Sequence, residues 1–132
     1  MEEQLITSDT AKLAKEKGFN LRISSYYDLI TKEFEIDGYT WYNKNEDELK
    51  ISAPTQSLLQ TWFRDVHGIH VSSWCNGSGW GWEIEKTNGT SIACMDIDGD
   101  VEGTEPESGM FKSYELALEK GLQEAFKYLK ND

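Results

Sequence analysis

At 132 residues the chain is long enough for one domain that buries roughly two-thirds of its unfolded surface in a single core. Charged residues make up 28%, prolines number two, and five Trp, six Tyr and five Phe supply large core side chains, which together exclude a disordered chain. Thirteen Lys and Arg against 24 Asp and Glu leave a formal net charge of −11, which opposes direct binding to nucleic acid or an anionic membrane. Such a charge suits an ordinary soluble surface, a cationic partner, or a protein that imitates a polyanion.

The opening Met1-Glu2-Glu3-Gln4 is acidic where a secretory signal is basic, and no apolar run reaches bilayer length. A cytoplasmic location is expected. Thr7, Ser8 and Asp9 offer N-caps for a short helix near 9–17, which Gly18 ends. Residues 21–27 alternate as a strand. A hairpin follows with Asp37-Gly38 as its turn, setting Ile36 opposite Tyr39 and Phe34 opposite Trp41. Asn43 to Glu48 reads as a polar loop, and Leu49 to Ser52 as a short extended lead-in.

The second helix is expected from about Pro54 to His67, because proline suits a first helical turn and Gly68 a C-cap. Leu58, Leu59, Trp62, Phe63 and Val66 form one wide apolar stripe on it. A three-stranded meander then spans roughly 69–97, with turns at Asn76-Gly77-Ser78-Gly79 and Asn88-Gly89. Both asparagines sit in glycosylation sequons, yet they read better as turn residues in this compartment.

Tight turns set residue 73 opposite 82, and 82 opposite 95. One face then collects Val71, Ser73, Cys75, Trp80, Trp82, Ile84, Ala93, Met95 and Ile97 as a core face. His70, Ser72, Trp74, Glu83, Glu85, Ile92, Cys94 and Asp96 fall on the other, largely solvated face. Cys75 and Cys94 land on opposite faces, so a disulfide between them is opposed by geometry. Two unpaired thiols agree with a reducing compartment.

Ser113 opens the last helix as N-cap, with Glu115 near its positive end and Lys127 and Lys130 near its negative end. Leu118, Leu122, Ala125, Phe126 and Leu129 form its buried stripe, and Gly121 permits close contact with the sheet. The expected fold is α+β, an antiparallel sheet of hairpin and meander with two or three helices on one face.

Three groups of residues carry a resemblance. Gly18-Phe19-Asn20 with Tyr26-Tyr27-Asp28, the Ala53-Pro54-Thr55 helix with Trp62-Phe63-Arg64, and the Ser113-Tyr114-Glu115 helix together resemble one family in the same order. It comprises small proteins without assigned activity, carried by phages and integrated elements of Bacteroides-type gut bacteria. The resemblance covers most of the chain and implies a context, mobile elements meeting a bacterial host. It transfers no functional residue. The chain departs from the family pattern at the glycine-rich Trp74-to-Trp82 hairpin and in the acidic loop after Asp96, where a specific function is to be sought.

Four constellations bear chemistry. Asp96, Asp98, Asp100, Glu102, Glu105 and Glu107 place six carboxylates within twelve residues, without a Lys or Arg among them. As a calcium loop, Asp96, Asp98, Asp100 and Glu107 would fill positions one, three, five and twelve, but Val101 stands where that loop needs glycine. Weak divalent binding by the clustered carboxylates is the simpler metal reading. The same Asp-x-Asp-Gly run is similar to the nucleophile motif of haloacid-dehalogenase-type phosphotransferases. That chemistry needs a parallel central strand and a long chain beyond it, whereas here a hairpin arm leads in.

His67 and His70 with Cys75 are competent zinc ligands at a spacing no recognised site uses; a cation at a helix end and a strand surface residue explain the histidines more simply. A cysteine nucleophile is opposed at Cys75 by burial and at Cys94 by the neighbouring carboxylates of Glu83 and Asp96. The hairpin Trp74-Cys75-Asn76-Gly77-Ser78-Gly79-Trp80-Gly81-Trp82 is the fourth. There Trp80 and Trp82 read as core, and Trp74 as either an interface anchor or cover for the outer face.

The reading that follows is a non-catalytic accessory protein that docks on a protein with a basic surface, with no cofactor. Its sharper form is an acidic inhibitor whose carboxylates stand in for phosphates. The contact candidates are Trp74, Glu83, Glu85, Asp96, Asp98, Asp100, Glu102, Glu105 and Glu107. A small metal-dependent hydrolase or divalent-ion-binding protein built on the Asp96–Asp100 cluster is the alternative.

Overall fold

Three helices and two three-stranded antiparallel sheets make an α+β fold across residues 4–37, 43–95, 104 and 110–129, which the computed structural model describes. The chain forms two compact units, Met1–Leu59 and Gln60–Asp132, each with its own sheet.

In the first unit, helix α1 (Ser8–Glu16) begins where the sequence offers a cap. Thr7 is extended, and its hydroxyl accepts the amide of Thr10. The helix ends in a Schellman arrangement, with Phe19 N–H donating to the Ala14 carbonyl and Gly18 N–H to that of Lys15. Gly18 takes the left-handed φ of 89° that this ending requires. Phe19, turned inward by that reversal, is buried with Ile6, Ala11, Ala14, Ile51 and Ala53.

The first sheet orders its strands β2-β1-β3, with β1 at Ser25–Asp28, β2 at Phe34–Ile36 and β3 at Lys50–Ser52. The described partner of β2 is β1, in the register Tyr27↔Phe34. The arm expected across Asp37-Gly38 falls at residues 38–42, outside the described residues. Asn45 ties the pieces together: its side chain donates to the Phe19 carbonyl and accepts the Ser52 amide.

Polarity misleads at Lys44. Within the expected polar loop, a 3-10 turn at Lys44–Glu46 buries this lysine completely. Its ammonium lies 2.9 Å from Asp37 Oδ2, and Lys50 Nζ reaches the same oxygen at 3.8 Å while lying over the Tyr26 ring. A buried charge is tolerated only where a counter-charge replaces its lost water.

Helix α2 (Gln56–His67) starts two residues later than expected. Pro54 is buried ahead of it, and the Thr55 hydroxyl accepts the Leu58 amide as the cap. Leu59, Trp62 and Phe63 are buried as the stripe predicts, but Val66 is 58% exposed. Its angular position on the helix is right; it sits in the last turn, where no neighbour covers it.

In the second unit, β4 (Ile69–Asn76), β5 (Gly79–Lys86) and β6 (Ser91–Cys94) form the meander in that order. Ser73 faces Trp82 as expected, and Glu83↔Cys94 with Ile84↔Ala93 continues the predicted register. A bulge at Ile84/Glu85 then shifts the pairing to Glu85↔Ser91. Helix α3 (Tyr114–Ala125) is capped by the Ser113 hydroxyl and ends in a 3-10 turn at Phe126–Tyr128. Its predicted stripe is buried throughout, and Phe126 packs on Phe63 at 4.9 Å between ring centroids. Burial opposes ionisation of Glu124 on this helix, yet the ammonium groups of Lys127 and Lys120 hold its carboxyl below the ordinary range.

Gly121 sets the distance between α3 and the sheet. A Cβ there would lie 2.9 Å from Trp82 Cβ and 3.1 Å from Val71 Cγ1. The sequence did not mark Met110 and Phe111, which are buried beside the start of β5, where Phe111 and Trp80 exchange both backbone hydrogen bonds.

Two stability predictions follow from these contacts. Asp37→Asn removes the carboxylate facing the buried Lys44 and is expected to cost about 2–4 kcal/mol by urea unfolding. Gly121→Ala gains about 1 kcal/mol of helix propensity but must push Trp82 away, for an expected net loss of about 1–2 kcal/mol. An equal or higher melting midpoint in that variant would refute the close approach.

Candidate functional site

Because α3 packs against one face of β4 and β5, alternation along each strand assigns the other face to Trp74, Ser72, His70, Glu83 and Glu85. The register places Glu85 beside His70, Glu83 beside Ser72 and Gly81 beside Trp74. All are half-buried except Gly81, which is buried. Neither Glu83 nor Glu85 has a side-chain hydrogen bond or ion pair among the described residues. Two carboxylates thus share one strand face without an ion pair among the described residues, Glu83 next to the Trp74–Gly81 pair and Glu85 in a hollow with Arg64 and Lys86.

Of the two roles the sequence left open for Trp74, the structure describes the covering one. Its indole lies over Gly81 of the neighbouring strand, so closely that a Cβ there would come within 2.5 Å of Cζ2. A strand glycine lacks the side chain that would pack its neighbour, and the aromatic ring fills that space. The residue as a whole is half-buried.

The other constellations come apart. Cys75 is exposed rather than buried, at the hairpin end of β4 next to the exposed Asn76. Cys94 is exposed as expected, and the two free thiols belong to β4 and β6, which β5 separates. His67 stacks edge-on against Trp62 at 4.7 Å between ring centroids, while His70 stands on β4 beside Glu85. Cys75 is opposite Trp80 at the far end of that strand, so the three ligands do not converge. No group of three His, Cys, Asp or Glu side chains able to hold a metal occurs among the described residues. Asp96, Asp98, Asp100, Glu102, Glu105 and Glu107 lie outside the described residues, as does Ile97. Among the described residues, no helix is long and apolar enough to cross a membrane.

Comparison with family models, with curated proteins and with solved structures gives no match to this chain.

The contact of Trp74 with Gly81 is open to direct measurement. Gly81→Ala must lift the indole off the strand, with an expected loss of about 1–3 kcal/mol in stability. It should also raise acrylamide quenching of tryptophan emission, and Trp74→Phe should abolish that increment. Unaltered quenching in Gly81→Ala would show that the ring does not rest there.

Proposed function

We propose that this protein is a non-catalytic binding module that docks on a protein partner with a basic surface. The observation that carries this reading is that Glu83 and Glu85, without ion pairs among the described residues, share a strand face with the half-buried Trp74, in a chain of net charge −11. Carboxylates of one sign steer a cationic partner and fix its register, while an aromatic anchor supplies desolvated contact area. The acidic run Asp96–Glu107 extends the same sign of charge along the chain. In the sharper form, these carboxylates occupy a nucleic-acid channel in place of phosphates, and the partner is a bacterial nucleic-acid-handling protein met by a phage or mobile element.

The test is capture of partners on the immobilised protein from nuclease-treated lysate of a Bacteroides-type host, followed by affinity measurement on the dominant basic partner. Glu83→Lys with Glu85→Lys should weaken that complex by about tenfold or more and flatten its salt dependence, with the melting temperature unchanged. Reversal of Asp98, Asp100 and Glu102 should act in the same direction. Affinity that neither reversal alters would overturn the electrostatic reading.

A further inference from the structure

Asn-Gly pairs stand at both turns of the meander, Asn76-Gly77 between β4 and β5 and Asn88-Gly89 between β5 and β6. Glycine hinders approach to its own backbone nitrogen least of all residues, and all four of these residues are exposed. In both turns the asparagine side chain is held by the amide two residues on. Asn76 Oδ1 accepts the Ser78 N–H at 2.8 Å, and Asn88 Oδ1 accepts the Thr90 N–H at 3.0 Å. A donor on that oxygen draws electrons from Cγ and stabilises the charge that gathers there when Cγ is attacked.

The two turns differ in the glycine amide. The Gly89 N–H donates to the Lys86 carbonyl at 2.8 Å, in a turn that the Lys86 N–H also closes onto the Thr90 carbonyl. The Gly77 N–H has no hydrogen bond among the described residues. A committed N–H must give up its bond before its nitrogen can act as a nucleophile. Space does not separate the sites, since a Cβ at either glycine would meet nothing within 4 Å. Of two chemically equal pairs, one has its nucleophile engaged and the other does not.

We propose that Asn76 is a site of spontaneous deamidation through a succinimide, and that the fold protects Asn88 from the same reaction. The Gly77 nitrogen, giving its proton to solvent base, bonds to Asn76 Cγ. The Cγ–Nδ2 bond breaks, and Nδ2 leaves as ammonia with a proton taken from water. A water molecule then opens the ring at either carbonyl, giving aspartate or, with the main chain rerouted through Cγ, isoaspartate. Nothing is oxidised or reduced, and water is the sole co-reactant. Strand alternation sets Asn76 on the face of Trp74, so the product adds a carboxylate to the side of the sheet that carries Glu83 and Glu85. The isoaspartate also lengthens the main chain where Asn76 pairs with Gly79, which disturbs the hairpin end of the ladder. This chemistry holds whether or not that face contacts a partner.

The test is to age the purified protein in mildly alkaline buffer and follow the peptide around each asparagine by mass spectrometry, with isoaspartate separated by chromatography. In the folded protein Asn76 should convert at least about fivefold faster than Asn88. In concentrated urea the two rates should converge, because the turns are gone and Asn-Gly-Ser and Asn-Gly-Thr are near-equivalent chemically. Gly77 lies outside the left-handed region and has open space at its Cβ, so Gly77→Ala should fold normally and slow Asn76 by about fivefold or more. Amide hydrogen exchange should be fast at Gly77 and protected at Gly89. Equal rates in the folded protein, or a faster Asn88, would overturn the proposal. So would a preference for Asn76 that persists unchanged in urea, since local sequence and not the turn would then set it.

Discussion

The close approach of helix α3 to the second sheet at Gly121 is the constraint from which the rest of this unit follows. With Trp82 Cβ and Val71 Cγ1 against the helix backbone, the face carrying Val71, Trp82, Ile84 and Met95 becomes core. Strand alternation leaves no choice for the remaining side chains, because a slip of one residue would exchange the two faces entirely. Trp74, Glu83 and Glu85 are outward for the same reason that Trp82 is inward. The candidate contact face is thus a consequence of core packing and needs no separate cause.

Two glycines on this sheet and helix do opposite work. Gly121 lets backbone come near side chains of the core. Gly81 leaves a gap on the outer strand face, which the Trp74 indole covers. One glycine closes the interior and the other fixes the orientation of the largest ring outside it. A half-exposed tryptophan held in place loses less side-chain entropy on binding than a free one, which suits it to a contact role.

Charge in this protein is unevenly spent. In the first unit, Lys44, Lys50 and Asp37 form a compact network around a fully buried ammonium. Lys120 on α3 and Lys127 in the 3-10 turn that follows both attend Glu124. Against that background, Arg64, Lys86 and Glu85 around one hollow, and Glu83 on the outer strand face, lack ion-pair partners among the described residues. Groups free of internal pairing are the ones available to another molecule, since no existing interaction must first be broken.

The sequence by itself determined the elements whose signals are local. The Thr7 and Ser113 caps, the Gly18 and Gly68 stops, and the apolar stripe of the last helix all depend on neighbours within a turn or two. The meander register belongs with them, because tight turns and strict alternation leave it little freedom. Tertiary structure alone decided the burial of Lys44, since whether the Asp37 carboxylate seven residues earlier turns onto it depends on how the chain folds between and around them. It also decided the exposure of Val66 and Cys75, because periodicity gives the direction of a side chain but not whether a neighbour lies in that direction. The meeting of Arg64, His70 and Lys86 at one hollow is of the same kind. These residues are close through strand pairing and helix packing, and nothing in their spacing along the chain announces it.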